Sequence, residues 1–598
     1  MQGHPGLVTA AAIPILLLGA VARILHLGDQ ALWIDEGATY AVIRQPNAAS
    51  ILTFLAERDA HPPLYFLLLK AWTRIAGDSV VALRLFSALA SLLSVAAVVP
   101  LAREMLRIRP DLRGPAIPLL AALMLALSDP EFVLAQDMRM HALRTLLAIA
   151  IVLFYLRWLR IGRVRDAVGV WLAGTAILHT HIQGVYVLMA VGLHALLFLR
   201  GRLRLTALAS VTACGLAFLP WFIGFGQYQL DYDHGVASAL PSTWETLLVL
   251  GGKYLSQMWP LTVGLMLVGT AALIARPGQP RLWDRAALLW AWIGITVGVS
   301  YIVNWWVPVL APHRILLLSP ALAILIALGI AQFARPARAF LVAVLVVYGV
   351  TTVDDYYPKE PWDEVGADVA RYFESGELVL LEVYRGDYPL MYYLDRLLPP
   401  GTQVESLRVW REFQADGYPQ GVIDAIAAHE TVWLTHWSPD PSAFTFLNDA
   451  GFIRTAAQMT DHWGNAIMTY RYDRGVDGAP LAAFTSGMTL RRARLLDDRV
   501  DLWWSADAPL ALDYSVSVFV LGADGAVVMQ HDAFPFENRR PTTGWSPGEI
   551  VYDPHPLALD ALPPGMFPIG VQVYTYFDGV RFPLVTGEDW AIIGEWRR

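Results

Sequence analysis

The feature that most constrains this chain is a succession of long apolar runs separated by short, arginine-bearing loops. A helix that crosses a hydrocarbon core needs about 20 mostly apolar residues, with a range of roughly 17–25. Segments 7–27, 80–102, 115–127, 141–159, 167–179, 183–199, 205–224, 259–275, 286–303, 314–333 and 339–353 approach or meet that length, the shorter ones with a residue or two from their flanks, so eleven spans are expected. The first lacks the basic leading residues and small-residue cleavage pattern of a removable signal peptide, and reads as a retained anchor. Composition agrees: 56% of the 598 residues are hydrophobic and 16% charged, against roughly 25% charged in an average soluble domain.

One stretch, "PPLYFLLLKAWTRIA" at 62–76, is apolar but short and carries Lys70 and Arg74. The positive-inside rule decides it. If it does not cross, the loops bearing Arg103/Arg107/Arg109/Arg113, Arg157/Arg160/Arg163/Arg165, Arg200/Arg202/Arg204, Arg276/Arg281/Arg285 and Arg335/Arg338 all fall on one face. If it crosses, the first of them is stranded opposite the other four. The segment is therefore expected to lie in the interface as an amphipathic helix, its cations reaching outward. The N-terminus is then cytoplasmic and everything after residue 353 extracytoplasmic.

Charge divides at the same place. Through Thr352 there are 26 Lys and Arg against 16 Asp and Glu, and beyond it 18 against 36. A basic membrane part joined to an acidic soluble part excludes a single globular domain, a fibrous repeat and a disordered chain. The single cysteine, Cys214, excludes an intrachain disulfide. Nucleic acid is a poor partner, because the arginines sit in separate loops and not along one face. Three domains are expected: a membrane domain at 1–353, an α/β domain at 354–480 that alternates helical stretches with runs such as "ELVLLEV" and "ETVWLTH", and a β-sandwich at 481–598 built from runs such as "RVDLWWSA" and "LDYSVSVFVLG". Trp503 and Trp504 suit sugar binding in principle and core packing in practice. No nucleophile motif or metal-spaced cluster marks the tail.

The loops of the outer face carry acids, histidines and tryptophans, and the chemistry is sought there. "ALWIDEGATY" puts Asp35 and Glu36 just beyond the first span; acids at a bilayer edge mark function by default, and an acidic pair at a helix start also acts as a cap. The same loop ends in "DAHPPLYFLLL", with His61 before two prolines. "AQDMRMHALR" carries Gln136, Asp137, Arg139 and His141; "HTHIQG" places His179 and His181 in a tight hairpin; "APHRILLLSPAL" opens the tenth span with His313 and Arg314.

Together the Asp-Glu pair, "HPPLYF", "ALRLFSALAS", "QDMRMHAL" and "HRILLLSPALA" resemble the GT-C membrane glycosyltransferases, in particular the bacterial protein O-mannosyltransferase and lipid A aminoarabinose transferase group (glycosyltransferase family 39-like), over residues 7–353. The resemblance implies a polytopic α-helical GT-C fold of about 11 transmembrane helices, with extracytoplasmic tail domains to which it assigns no activity. It implies transfer of a hexosyl or pentosyl group from a polyprenyl-phosphate-linked donor to a hydroxyl on a lipid, glycan or protein acceptor, at the extracytoplasmic face of the cell membrane. Asp35 matches the family's catalytic acid and would be the general base of an inverting displacement. Glu36 and Asp137 would orient it, bind sugar hydroxyls or hold a divalent cation; the metal question stays open. Arg139 and Arg314, with His61 and Lys70, would bind the donor phosphate, His61 standing where some relatives carry Lys. A transporter would show mid-span charges and repeated halves, and an inactive scaffold would leave the outer carboxylate and arginine motifs without a task. The sequence shows no second copy of the Asp-Glu loop.

Overall fold

The computed structural model describes residues 5–59, 61–107, 109, 112, 114–231, 240–255, 258–274, 281–351, 358–383, 386–407, 420–437, 442–462 and 464–598. The chain divides into two compact units, Met1–Lys359 and Glu360–Arg598.

The first unit is helical. Each expected apolar segment contains a helix: α1 (Pro5–Ile24), then, after α2 (Ile34–Ile43), α3 (Ala48–Arg58) and α4 (Leu64–Ala76) of the first loop, α5 (Val80–Leu106) and α6 (Ala116–Ala126). Past the short α7 (Asp129–Val133) come α8 (His141–Ile161), α9 (Val164–Thr180), α10 (Val185–Phe198) and α11 (Gly201–Asp231). The series ends with α12 (Trp244–Leu255), α13 (Trp259–Ile274), α14 (Arg281–Val303), α15 (Pro312–Ile315), α16 (Ser319–Ile330) and α17 (Arg335–Thr351). Among the described residues five stretches are long and apolar enough to cross a membrane unaided, and α12 with α13 can make a bent sixth. At 11 residues α6 reaches only about 16 Å, about half of a hydrocarbon core. Eleven crossings thus remain the count expected from sequence, while the multi-pass membrane character is plain.

Apolar residues all round a helix bury it at the centre, and in α16 every residue is buried. It packs on α6 and α13. Gly269 and Gly329 permit the approach to α13: a Cβ on Gly269 would stand 2.3 Å from the Leu325 carbonyl oxygen, and one on Gly329 2.0 Å from that of Leu265. By contrast α11 leaves Leu205, Leu216 and Ile223 exposed, as a lipid-facing helix does. Trp305 and Trp306 are exposed beyond α14, in keeping with an interfacial aromatic belt. Arg23 of α1 is buried and donates to the carbonyls of Leu125 and Ala126, closing the C-terminus of α6.

The stretch expected to lie in the interface forms the helix α4. It starts directly after Pro62–Pro63, buries Tyr65, Phe66 and Leu69, and leaves Leu68 and Ile75 exposed.

Among the described residues the second unit contains three sheets. In the first, β1 (Leu378–Val383) lies parallel to β2 (Gln403–Ser406) and β3 (Thr431–Trp437), and β5 (Asn465–Arg474) joins antiparallel between β3 and β4 (Phe452–His462), in the order β2-β1-β3-β5-β4. The other two are antiparallel. One is β6 (Ala482–Ala483), β7 (Met488–Leu495), β8 (Arg499–Ala506) and β11 (Ile550–Pro556); the other is β9 (Ser515–Leu521), β10 (Val527–Ala533), β12 (Met566–Tyr574), β13 (Arg581–Phe582) and β14 (Ala591–Arg597). Strand side chains alternate between faces, and β8 is buried on both. Leu502 and Trp504 enter the core between the two antiparallel sheets. Trp503 turns the other way into a core shared with Trp362, Leu381 and Trp433 of the α/β layer. Trp503 and Trp504 are thus packing residues, and the α/β layer and sandwich form one unit.

Candidate active site

The acidic loop is organised by the first turn of α2. Negative charge there offsets the unpaired amides and dipole of a helix start, and the two adjacent acids divide the possible tasks. Glu36 is fully buried and reaches back to the Trp33 amide at 3.3 Å. Its Oε1 accepts from Arg84 Nε and the Met138 amide, both at 2.8 Å; its Oε2 accepts from Arg84 Nη2 at 2.7 Å and lies 3.2 Å from Lys359 Nζ. Burial alone would push this carboxyl up, but Lys359, Arg84 and the amide outweigh it and hold it at about 2. Asp35, one residue earlier, keeps 46% of its side chain exposed, and its nearest cation is Arg139 Nη2 at 3.8 Å.

Arg84 reaches this site from inside α5. Besides Glu36 it donates to the carbonyls of Leu27, Gln30 and Ala31, tying the loop after α1 to α2. Asp137 Oδ1 meets Lys359 Nζ at 2.8 Å; burial raises this carboxyl, and the neighbouring Glu36 raises it further against the pull of Lys359.

Arg139 is buried and fixed by the Asp35 carbonyl at 3.1 Å and Thr39 Oγ1 at 3.0 Å. Arg314 lies within electrostatic reach of both Asp35 and Arg139 and donates to the Pro308 carbonyl. Asp59 accepts from the His61 amide at 2.8 Å and pairs with His61 Nδ1 at 2.7 Å, orienting the ring; His61, with Arg139, outweighs burial and lowers the Asp59 carboxyl. The His61 ring is 5.5 Å from that of His181, and His141 is 5.3 Å from His313. Arg144 links the hairpin to the last loop by donating to Gln183 Oε1 and to the His313 carbonyl.

Asp35, Glu36, Asp137 and Arg139 are therefore drawn together by these contacts, with Arg314 and the Asp59–His61 pair within electrostatic reach of Asp35 and Arg139 respectively. Lys70 is not: its carbonyl accepts from Thr73 within α4, and no ion pair or side-chain hydrogen bond of its ammonium is found among the described residues. Sequence reasoning missed Arg84 and Lys359. Both had signals, a charge inside an apolar span and a lone lysine between prolines in an acidic stretch. Among the described residues no group of three or more His, Cys, Asp or Glu is disposed to hold a metal.

A sequence profile of the family described as dolichyl-phosphate-mannose-protein mannosyltransferase matches residues 60–223. The fold is similar to that of ArnT from Cupriavidus metallidurans in the apo state, at 13% identity and TM-score 0.54, covering 78% of this chain and 98% of that one. The same protein bound to undecaprenyl phosphate gives 14% identity and TM-score 0.50, with coverage of 77% and 98%. The archaeal oligosaccharyltransferase AglB from Archaeoglobus fulgidus, in complex with an inhibitory peptide and a dolichol-phosphate, is similar at 8% identity and TM-score 0.50, covering 97% and 98%. No curated protein sequence matches the chain. The chain is a multi-pass membrane protein with the fold of ArnT and AglB, and over residues 60–223 it is similar to the dolichyl-phosphate-mannose-protein mannosyltransferase family.

Proposed function

We propose that this chain transfers a single sugar from a polyprenyl-phosphate carrier to an acceptor hydroxyl at the extracytoplasmic face, with inversion. The observation that carries the reading is the asymmetry of neighbouring acids: Glu36 is saturated with donors, while Asp35 presents a half-exposed carboxylate beside Arg139. Asp35 accepts the hydroxyl proton as the acceptor oxygen bonds to the anomeric carbon. The bond from that carbon to the phosphate oxygen breaks, and its electron pair leaves on the carrier phosphate. Phosphate is a good leaving group, so cationic stabilisation is enough; Arg139, Arg314 and the Asp59-oriented His61 supply it. Lys70 is left as an interfacial cation. Glu36 and Asp137 position Asp35. Matching over 60–223 to a family named for a lipid-phosphate sugar donor supports this donor class, as does the similarity to a protein solved with undecaprenyl phosphate.

The test is sugar transfer by purified full-length protein from a panel of polyprenyl-phosphate sugars, with the anomeric configuration of the product read by NMR. Retention of configuration, or near-normal turnover by well-folded Asp35→Asn protein, overturns the mechanism. The orientation, with cytoplasmic N-terminus and extracytoplasmic tail, rests on the five aligned arginine loops. Reporter fusions after Gly201 and after residue 354 should give cytoplasmic and external signals respectively; a cytoplasmic signal after 354 overturns it.

A further inference from the structure

Two buried carboxylates facing one another ordinarily need a proton or a metal ion between them. Between Glu36 and Asp137 there is instead an ammonium. Lys359 Nζ stands 3.2 Å from Glu36 Oε2 and 2.8 Å from Asp137 Oδ1, with 8% of its side chain exposed. Its main-chain amide donates to Gln30 Oε1 at 3.0 Å, pinning the residue to the start of the acidic loop. With Arg84 the charges balance, two cations against two anions. The donor set does not fit a divalent cation: both Glu36 oxygens already accept from Arg84 and from main-chain amides, whereas Mg²⁺ demands octahedral oxygen ligation and would be set against two fixed cations.

We propose that Lys359 is the built-in counter-ion of the Glu36–Asp137 pair and a positioning residue for Asp35. By holding the second-loop carboxylate against the first turn of α2, it fixes the direction in which Asp35 offers its own. The positioning half rests on the reading of Asp35 as base; the charge coupling rests on geometry alone. A mere tether would be matched by any side chain that keeps the segment in place, whereas a counter-ion is coupled to the charge on Asp137.

The experiment uses full-length protein in detergent with Lys359→Met, Lys359→Arg, Asp137→Asn and the double variant Lys359→Met/Asp137→Asn. Each is followed by thermal unfolding and by steady-state transfer, with and without EDTA. Losing the ammonium leaves a buried charge uncompensated, so Lys359→Met should melt roughly 5 °C lower or more. Neutralising Asp137 as well should restore at least half of that loss. In the folded fraction, Lys359→Met should lose about tenfold or more in kcat with donor KM within about twofold, Lys359→Arg should keep more of the rate, and wild-type activity should be unchanged by EDTA. Melting losses that simply add in the double variant overturn the coupling. Unchanged kcat in Lys359→Met overturns the positioning role, and wild-type activity lost to EDTA and restored by Mn²⁺ overturns the charge assignment. If Lys359→Met yields no folded protein, recovery of folded protein in the double variant supports the proposal and its failure overturns it. Absence of transfer by wild type from every donor would sink the proposed function, yet leave the thermal test of the counter-ion intact.

Discussion

In the tail unit Arg471 is fully buried between Glu377 at 3.2 Å and Asp473 at 2.9 Å, with the Tyr552 ring 4.3 Å and the Trp433 ring 5.2 Å from its guanidinium. Arg494 and Arg499 pair with buried Asp501 beside it, and Tyr552 donates to the same carboxylate. In the membrane unit Glu36, Asp137, Arg84 and Lys359 form an equally buried and equally balanced cluster. The clusters differ at their borders. The tail cluster is walled by aromatic rings and bonds the α/β layer to the sandwich. The membrane cluster abuts a loosely paired, half-exposed carboxylate and a group of arginines and histidines. Buried charge by itself marks architecture; a balanced cluster that holds an accessible acid beside surplus cations marks a site.

The sharpest way to break this contrast is Asp35→Asn. A general base is typically worth about 10²–10⁴ in rate, and the expected loss in kcat is of that size with melting temperature nearly unchanged. A fall in stability without loss of turnover would reduce Asp35 to a helix-start acid like its neighbour. The tail should respond in the opposite sense. Arg471→Met strands Asp473 and leaves Glu377 only Arg494 as a cation, at a cost of about 3–5 kcal/mol in stability, measured by denaturant unfolding, while turnover per folded molecule holds. A parallel drop in turnover would erase the distinction between the clusters.

Weaker effects sharpen the cationic border. A hydrogen bond to a charged group contributes about 1.5–3 kcal/mol, so Arg314→Ala should raise the donor KM about 10- to 100-fold, and Arg314→Lys should raise it less. Equal effects on acceptor KM would move Arg314 away from the phosphate. The smallest expected effect is on acid stability. Glu36 is held at about 2 against an ordinary 4.5, so its stabilisation is present above about pH 4.5 and is lost as pH falls toward 2. Asp137, raised above 3.8, works with the opposite sign and loses stability as pH rises past that value. Melting temperatures between pH 6 and 3 should therefore show a flatter acid limb for Glu36→Gln and a steeper one for Asp137→Asn.

Helices and strands were legible because their signals are local: apolar runs for α5, α8 and α14, and alternation for β8 and β12. What β8 buries its second face against depends on a partner far along the chain, and no period-2 pattern names it. In the site, Asp35, Arg139 and Arg314 stood out as charges at the ends of apolar spans. The resemblance gave Asp35 and Glu36 different tasks, but that Glu36 would be buried and saturated while Asp35 stays half-exposed was not legible, since it turns on where α2 begins and on a donor, Arg84, hidden inside α5. Lys70 illustrates the converse: a cation in the right loop by sequence, on a helix whose packing leaves it out of the cluster.

The bond between Lys359 and Glu36 joins residues 323 positions apart, and that distance has a temporal side. Chains emerge from the ribosome N-terminus first at about 5–20 residues per second, so roughly 15–65 s separate the synthesis of Glu36 from that of Lys359. In the later part of that interval, once Arg84 and Asp137 have been made, α2 has its arginine but Asp137 has no ammonium. The acidic loop is completed by the last residue of its unit to be translated, after α17 has been made, so the site can mature only late in the synthesis of the membrane unit.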